Sequence, residues 1–214
     1  GVSGAIEMTA GDFDMDGATD VAILTSDGSI KLLWAESTSD VEISDGPRVG
    51  QASTVEAADF NNDGHVDLVA SSVQDTVYLL PIGDGRVWGE MVELQGFGAS
   101  QLAVADLDHD GHADLVLTRL LLGQAMGGEA AGARGGNEPL VRILWGSAGG
   151  FSDQRTTTLK VAHAAATAIG DLDGDGRLDL AVGVHQGAER FEARSLIFFN
   201  TGDRQFVADQ TPIV

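Results

Sequence analysis

Cysteine is absent from this 214-residue chain, which excludes disulfides, thiolate metal sites and a cysteine nucleophile. It leaves the compartment open, because metal can staple a secreted chain as disulfides do. Basic residues are scarce: 12 Lys and Arg stand against 33 Asp and Glu, for a net charge of −21. Phosphate binding needs a basic footprint, so the balance argues against DNA, RNA or an anionic membrane surface as partner. No apolar run reaches the ~18 residues of a membrane-spanning helix. Residues 1–10 lack the basic start and apolar core of a signal peptide. Aromatic residues are only 6%. No Asn-x-Ser/Thr sequon, nucleophile elbow, P-loop, H-E-x-x-H or helix-opening G-x-G-x-x-G is found. What the chain does have is 29 glycines and 43% hydrophobic residues in short recurring runs, which points to many tight turns between short strands rather than disorder.

The acids are concentrated in an internal repeat. Four segments share the pattern D-x-[DN]-x-D-G-x-x-D and begin at Asp12, Asp59, Asp106 and Asp171, spaced 47, 47 and 65 residues apart. A small-residue alternating strand precedes each loop, as in Val55–Ala58 and Gln101–Ala105. An apolar strand follows (Val21–Leu24, Leu68–Ala70, Leu115–Leu117, Leu180–Val182), then a third (Ile30–Trp34, Val77–Leu80, Val141–Trp145, Leu196–Phe199). A more polar fourth strand closes the unit, as in Trp88–Leu94 and Arg155–Leu159. Four short strands per unit of this length predict an all-β chain of four-stranded antiparallel propeller blades. The expected units are about 4–50, 51–97, 98–162 with an insertion at 120–138, and 163–214, making one domain over 1–214. The polar fourth strands belong at the outer edge, where charge discourages edge-to-edge pairing.

Oxygen donors at alternate positions, on a loop turned by glycine, converge on one point suited to a hard cation. The expected side-chain ligands are positions one, three, five and nine: Asp12, Asp14, Asp16 and Asp20; Asp59, Asn61, Asp63 and Asp67; Asp106, Asp108, Asp110 and Asp114; Asp171, Asp173, Asp175 and Asp179. Position seven, at Ala18, His65, His112 and Arg177, is expected to offer its backbone carbonyl. Ca²⁺ tolerates this irregular set better than Mg²⁺, so about four Ca²⁺ are expected, one per loop. An EF-hand shares the first six positions but needs a Glu at position twelve. Here that place holds Ile23, Ala70, Leu117 and Val182, so the motif reads as strand–loop–strand. A single such loop is also compatible with a plain Asp-Gly turn; four of them at a matching period argue for metal.

Residues 97–115, Phe-Gly-Ala-Ser-Gln-Leu-Ala-Val-Ala-Asp-Leu-Asp-His-Asp-Gly-His-Ala-Asp-Leu, resemble the FG-GAP or VCBS repeats of integrin alpha chains and many bacterial surface proteins, and the resemblance runs over essentially the whole chain. It implies a propeller, usually seven-bladed, with calcium loops on one face and ligand binding on the other. The chain departs from the family in lacking the Gly-Ala-Pro tripeptide, Gly183–His185 being nearest, and in having four repeats. Both a four-blade assembly and a piece of a larger ring remain open.

The functional expectation is a non-catalytic, calcium-stabilised scaffold for protein or glycan binding, located extracellularly, at the cell surface or in the periplasm. The rivals are the propeller part of a polysaccharide lyase or hydrolase, and a structural spacer of a surface protein. The binding face is sought in the insertion 120–138 and a smaller one at 185–192, with Leu122, Met126, Arg134, His185 and Arg190 as candidate ligand contacts beside Leu120, Leu121 and Phe191. A flexible Gly-rich loop without a partner is the plainer alternative. His65, His109 and His112 are expected to point outward from their loops. Trp34, Trp88 and Trp145 are expected to pack between blades, with sugar stacking as the other option.

Overall fold

The computed structural model describes residues 2–35, 41–72, 75–119, 140–161, 163–184 and 195–209. Among these there is no helix. Four antiparallel four-stranded sheets follow one another along the chain. The first runs β1 (Ala5–Gly11), β2 (Asp20–Thr25), β3 (Ser29–Ala35), β4 (Val41–Arg48). The second runs β5 (Ala52–Ala58), β6 (Asp67–Ser72), β7 (Thr76–Leu80), β10 (Val92–Gln95), with a separate small hairpin of β8 (Ile82–Gly83) and β9 (Val87–Trp88) between its last two strands. The third is β11 (Gln101–Ala105), β12 (Asp114–Thr118), β13 (Leu140–Leu144), β14 (Thr156–Lys160). The fourth is β15 (Ala164–Gly170), β16 (Asp179–Val184), β17 (Leu196–Gly202), β18 (Gln205–Asp209).

The middle strands read as unbroken apolar runs because both their faces are covered. Val69 faces the third sheet while Leu68 and Ala70 face the first. Val116 likewise faces the fourth sheet while Leu115 and Leu117 face the second. Three clusters result, one in each space between successive sheets. The first strands of neighbouring sheets lie against one another, β1 on β5, β5 on β11 and β11 on β15. This is blade stacking of propeller type. The outer strands β4, β10 and β18 are largely exposed, as their polar composition predicts.

The second unit differs from expectation in its fourth strand. Trp88 does not begin that strand; it sits in the small hairpin, and only Val92–Gln95 pairs with β7. Pro81 ends β7, its carbonyl accepts the Gly89 N–H at 2.8 Å, and this turn folds Trp88 back onto the first core cluster. Trp34 and Trp145 are buried in the first and third clusters, their indole N–H groups donating to Ser44 Oγ at 2.8 Å and Thr157 Oγ1 at 3.0 Å. The insertion 120–138 and the segment 185–192 lie outside the described residues, and with them the candidate contacts Leu120, Leu121, Leu122, Met126, Arg134, His185, Arg190 and Phe191.

Candidate metal centres

Each loop joins the first strand of a sheet to the second, and its backbone is bent inward by two left-handed residues. Position six is Gly17, Gly64, Gly111 and Gly176, with φ of 87°, 91°, 86° and 88°, a conformation that L side chains rarely adopt. Position four is left-handed as well, at Met15, Asn62, His109 and Gly174. The bent backbone aims its N–H groups at the carboxylates. Position one accepts the Gly N–H of position six at 2.9–3.0 Å in all four loops. The side-chain oxygen of position three accepts the N–H of position five at 2.9–3.2 Å. Position five in turn accepts the N–H of position seven at 2.7–2.9 Å.

Position nine is fully buried in every loop: Asp20, Asp67, Asp114 and Asp179 all have 0% exposure. One of its oxygens accepts an N–H at the far end of the third strand or just beyond it, from Ala35, Ile82, Gly146 and Asn200, each at 2.8 Å. In the first, third and fourth loops the other oxygen accepts the N–H of position two, at 2.8–3.0 Å. The aspartate that closes the motif therefore ties the loop to the third strand, a role the motif alone does not reveal.

Carboxylates from positions one, three and nine converge. In the sets Asp12, Asp14, Asp20; Asp106, Asp108, Asp114; and Asp171, Asp173, Asp179, one oxygen from each lies within 4.8 Å of the others. The second loop has Asp59 and Asp67, with the Asn61 amide in third place. Position five stands outside the three converging sets, its carboxylate engaged with the backbone. Three anions this close repel by roughly 1–4 kcal/mol per pair at effective dielectrics between water and protein surface. The residues fit a cation on a second count. Among the described residues, Asp12 Oδ1 and Asp59 Oδ1 are buried and accept no hydrogen bond. A buried carboxylate oxygen left bare is costly unless a cation meets it. The first loop has both the converging carboxylates and an orphaned oxygen, the third and fourth the converging carboxylates and the second an orphaned oxygen, so these clusters could hold metal ions.

Burial sets the protonation of these sites. Desolvation pushes Asp67 up to about 7 and Asp114 up to about 6, against the lowering pull of their backbone N–H bonds and with help from neighbouring aspartates. The same cause raises Asp20. In metal-free protein these groups keep a proton in the fold that the unfolded chain sheds near 3.8. Stability therefore falls as pH rises from about 4 to about 7. A bound cation reverses the sign, because it favours the anion. Melting curves between pH 4 and 8 are expected to slope downward in chelator and upward in calcium; parallel slopes would contradict this.

Two arginines that the sequence did not single out reach into loops of a neighbouring unit. Arg86, in the turn of the β8–β9 hairpin, donates from Nε to Asp14 Oδ2 at 2.8 Å and from Nη1 to Glu42 Oε2 at 3.0 Å. Its guanidinium lies 4.6 Å from the centre of the Trp34 ring. Arg204, in the turn between β17 and β18, repeats the arrangement: Nε donates to Asp108 Oδ2 at 2.6 Å, and the guanidinium lies 5.1 Å from the Trp145 ring centre. The loops of the first and third units are thus each held by an arginine from the following unit. The corresponding hairpin of the third unit carries Gly149, Gly150 and Phe151, and Phe151 meets Phe60 with ring centroids 6.4 Å apart. A positive charge on a candidate ligand opposes a second cation. Arg86→Ala is expected to raise metal affinity at the first loop by about tenfold, given Coulomb energies of a few kcal/mol at such range. It should also lower metal-free stability by about 1 kcal/mol through the lost cation–π and ion-pair contacts. Calorimetric titration and melting in chelator read the two effects separately.

Neighbouring loops also touch. Asn62 Nδ2 donates to Gly111 O at 2.7 Å, and His109 Nε2 lies 3.1 Å from Gly176 O, so position four of one unit meets position six of the next. The histidines are therefore not simply solvated. His65 and His112 are half-buried, and His65 Nε2 lies 3.4 Å from Asp84 Oδ1.

Comparison with known proteins agrees with this geometry. No curated protein matches the chain. A family model for the FG-GAP-like repeat matches residues 12–70, from the first loop to the second strand of the second unit. A model for the FG-GAP repeat matches residues 163–194, which hold the fourth loop. The matched stretches hold the first, second and fourth loops, so the chain carries FG-GAP repeats.

Proposed function

We propose that the chain is a calcium-stabilised, non-catalytic scaffold that presents a protein- or glycan-binding surface outside the cytoplasm, with one Ca²⁺ in each of its four loops. The observation that carries the reading is the convergence of three carboxylates in the first, third and fourth loops, with a buried carboxylate oxygen on Asp12 and on Asp59 that accepts no hydrogen bond. Ca²⁺ suits them because it accepts many oxygen ligands in irregular geometry, whereas Mg²⁺ demands a strict octahedron and holds its waters. Positions one, three and nine would hold the ion, with position five and the carbonyl of position seven completing the shell. Since position nine already anchors the third strand, an ion there links three strands of each sheet through one point. Millimolar extracellular calcium keeps sites of this class filled. FG-GAP repeats generally serve as scaffolds, which supports a binding role rather than catalysis.

The ligand face is proposed opposite the loops, where Thr118 and Leu140 flank the insertion 120–138 and Val184 precedes the segment 185–192. Leu122, Met126, Arg134, His185 and Arg190 are the proposed contacts. A glycan array and a pull-down with the chain in calcium test this reading. Binding that is lost on deletion of 123–137 supports it, and binding untouched by the deletion moves the site elsewhere.

A further inference from the structure

Position four of each loop stands between two candidate ligands, at positions three and five. In the second loop it is Asn62, between Asn61 and Asp63; in the third it is His109, between Asp108 and Asp110. Both side chains leave their own loop. Asn62 Nδ2 donates to Gly111 O of the third loop at 2.7 Å, and His109 Nε2 lies 3.1 Å from Gly176 O of the fourth. A carbonyl only accepts, so His109 carries a hydrogen on Nε2.

Each of these carbonyls belongs to a peptide whose N–H serves the receiving loop. The Gly111–His112 peptide accepts Asn62 on one side, and on the other its His112 N–H donates to Asp110 Oδ1 at 2.9 Å. The Gly176–Arg177 peptide accepts His109, and its Arg177 N–H donates to Asp175 Oδ1 at 2.8 Å. A peptide unit is rigid and planar. One side chain and one plane therefore join the position-five carboxylate of a loop to the donors flanking position four in the loop before it. The line runs from the second loop through the third to the fourth. It does not start at the first loop, where position four is Met15, 58% exposed and without a donor on its side chain.

We propose that Asn62 and His109 are positioning residues that couple calcium binding between successive loops, so that an ion in the third loop strengthens binding in the second and the fourth. The coupling rests on the calcium reading given above. An ion in one loop fixes position five, and position five fixes the next peptide through its N–H. The fixed carbonyl then holds the neighbour's position four, and with it the backbone between two of the neighbour's donors. Less remains to be ordered when the neighbour binds its own ion. The effect is reciprocal by linkage. Both bonds join exposed residues, so each link is expected at the low end of ordinary coupling, roughly fivefold in affinity. The first loop takes no part.

The amide resonances of Gly64, Gly111 and Gly176, one in each coupled loop, followed through a calcium titration of the chelator-stripped chain, give a midpoint for each site. Glycine at position four, native to the fourth loop as Gly174, keeps the left-handed turn and removes the donor. Asn62→Gly is expected to move the Gly111 midpoint to roughly fivefold more calcium, and His109→Gly to do the same at Gly176, although neither alters a ligand of the shifted loop. His109→Asn keeps a donor of the kind the second loop uses and leaves the Gly176 midpoint near wild type. Asp108→Ala, which removes a candidate ligand of the third loop, moves the Gly64 midpoint upward in the wild-type background and leaves it in place in Asn62→Gly. A Gly111 midpoint unmoved by Asn62→Gly overturns the coupling and leaves the calcium reading standing. So does an Asp108→Ala effect at Gly64 that survives Asn62→Gly. Glycine amides that ignore calcium altogether overturn both.

Discussion

Removing divalent cations is expected to lower the melting temperature of the chain by roughly 20 °C or more. An ion that binds the folded loop and not the unfolded chain adds about 2.7 kcal/mol when present at one hundred times its dissociation constant. Four such sites, filled independently, add about 11 kcal/mol, comparable to the whole stability of an ordinary domain. A chain of this length moves about 2–4 °C per kcal/mol. The structure supplies the reason for so large a dependence. Each sheet concentrates three or more acidic or amide donors at one turn, and in the first, third and fourth loops three carboxylates lie within 4.8 Å of one another. Scanning calorimetry with excess EDTA and then with restored calcium is the check. Unchanged melting in EDTA would mean that the loops stand without an ion.

Asp114→Ala is expected to be the most damaging single substitution in a loop, at about 3–5 kcal/mol in calcium. The Asp114 side chain is fully buried and accepts the Leu107 and Gly146 N–H groups, both at 2.8 Å. Truncation leaves two buried donors unsatisfied, at about 1–3 kcal/mol each, and removes a metal ligand as well. Asp110→Ala, in the same loop, removes an exposed carboxylate that accepts only one loop N–H in addition to its ion pair with Arg204. In chelator it should cost about 1 kcal/mol. Asp114→Asn keeps one acceptor oxygen and should recover part of the loss. Denaturant titrations in calcium and in chelator separate the structural share, which persists without metal, from the ligand share, which does not. Equal effects of the alanine substitutions at 110 and 114 in chelator would contradict the anchoring role.

The four loops were legible in the sequence because a candidate metal site on a hairpin is local: its donors fall within nine residues, and the glycine it needs for a left-handed turn stands at a fixed place. The blades were legible because a strand covered on both faces leaves an apolar run, as at Leu68–Val69–Ala70. Residues that act across units left no such trace. Arg86 and Arg204 meet their aspartates over 72 and 96 residues of chain, and nothing in Gly-Asp-Gly-Arg or Gly-Asp-Arg distinguishes a key for another loop from a solvated turn. The second task of position nine was equally hidden, since its backbone partners lie 15 to 32 residues downstream. The β8–β9 hairpin escaped because Val87–Trp88 continues an alternating pattern toward Leu94 that Gly89 breaks only in three dimensions.

The chain's first and third loops, each pinned by an arginine from the following unit, and its fourth, whose Asp175 pairs with Arg177, should bind calcium more weakly than the second. Native mass spectrometry of chelator-stripped protein titrated with calcium counts ions directly. The expected result is four Ca²⁺ per chain, taken up in two classes, with magnesium failing to compete at equal concentration. A chain that binds no calcium at millimolar free ion, while keeping its β structure, would contradict the claim that these aspartate clusters are held together by metal.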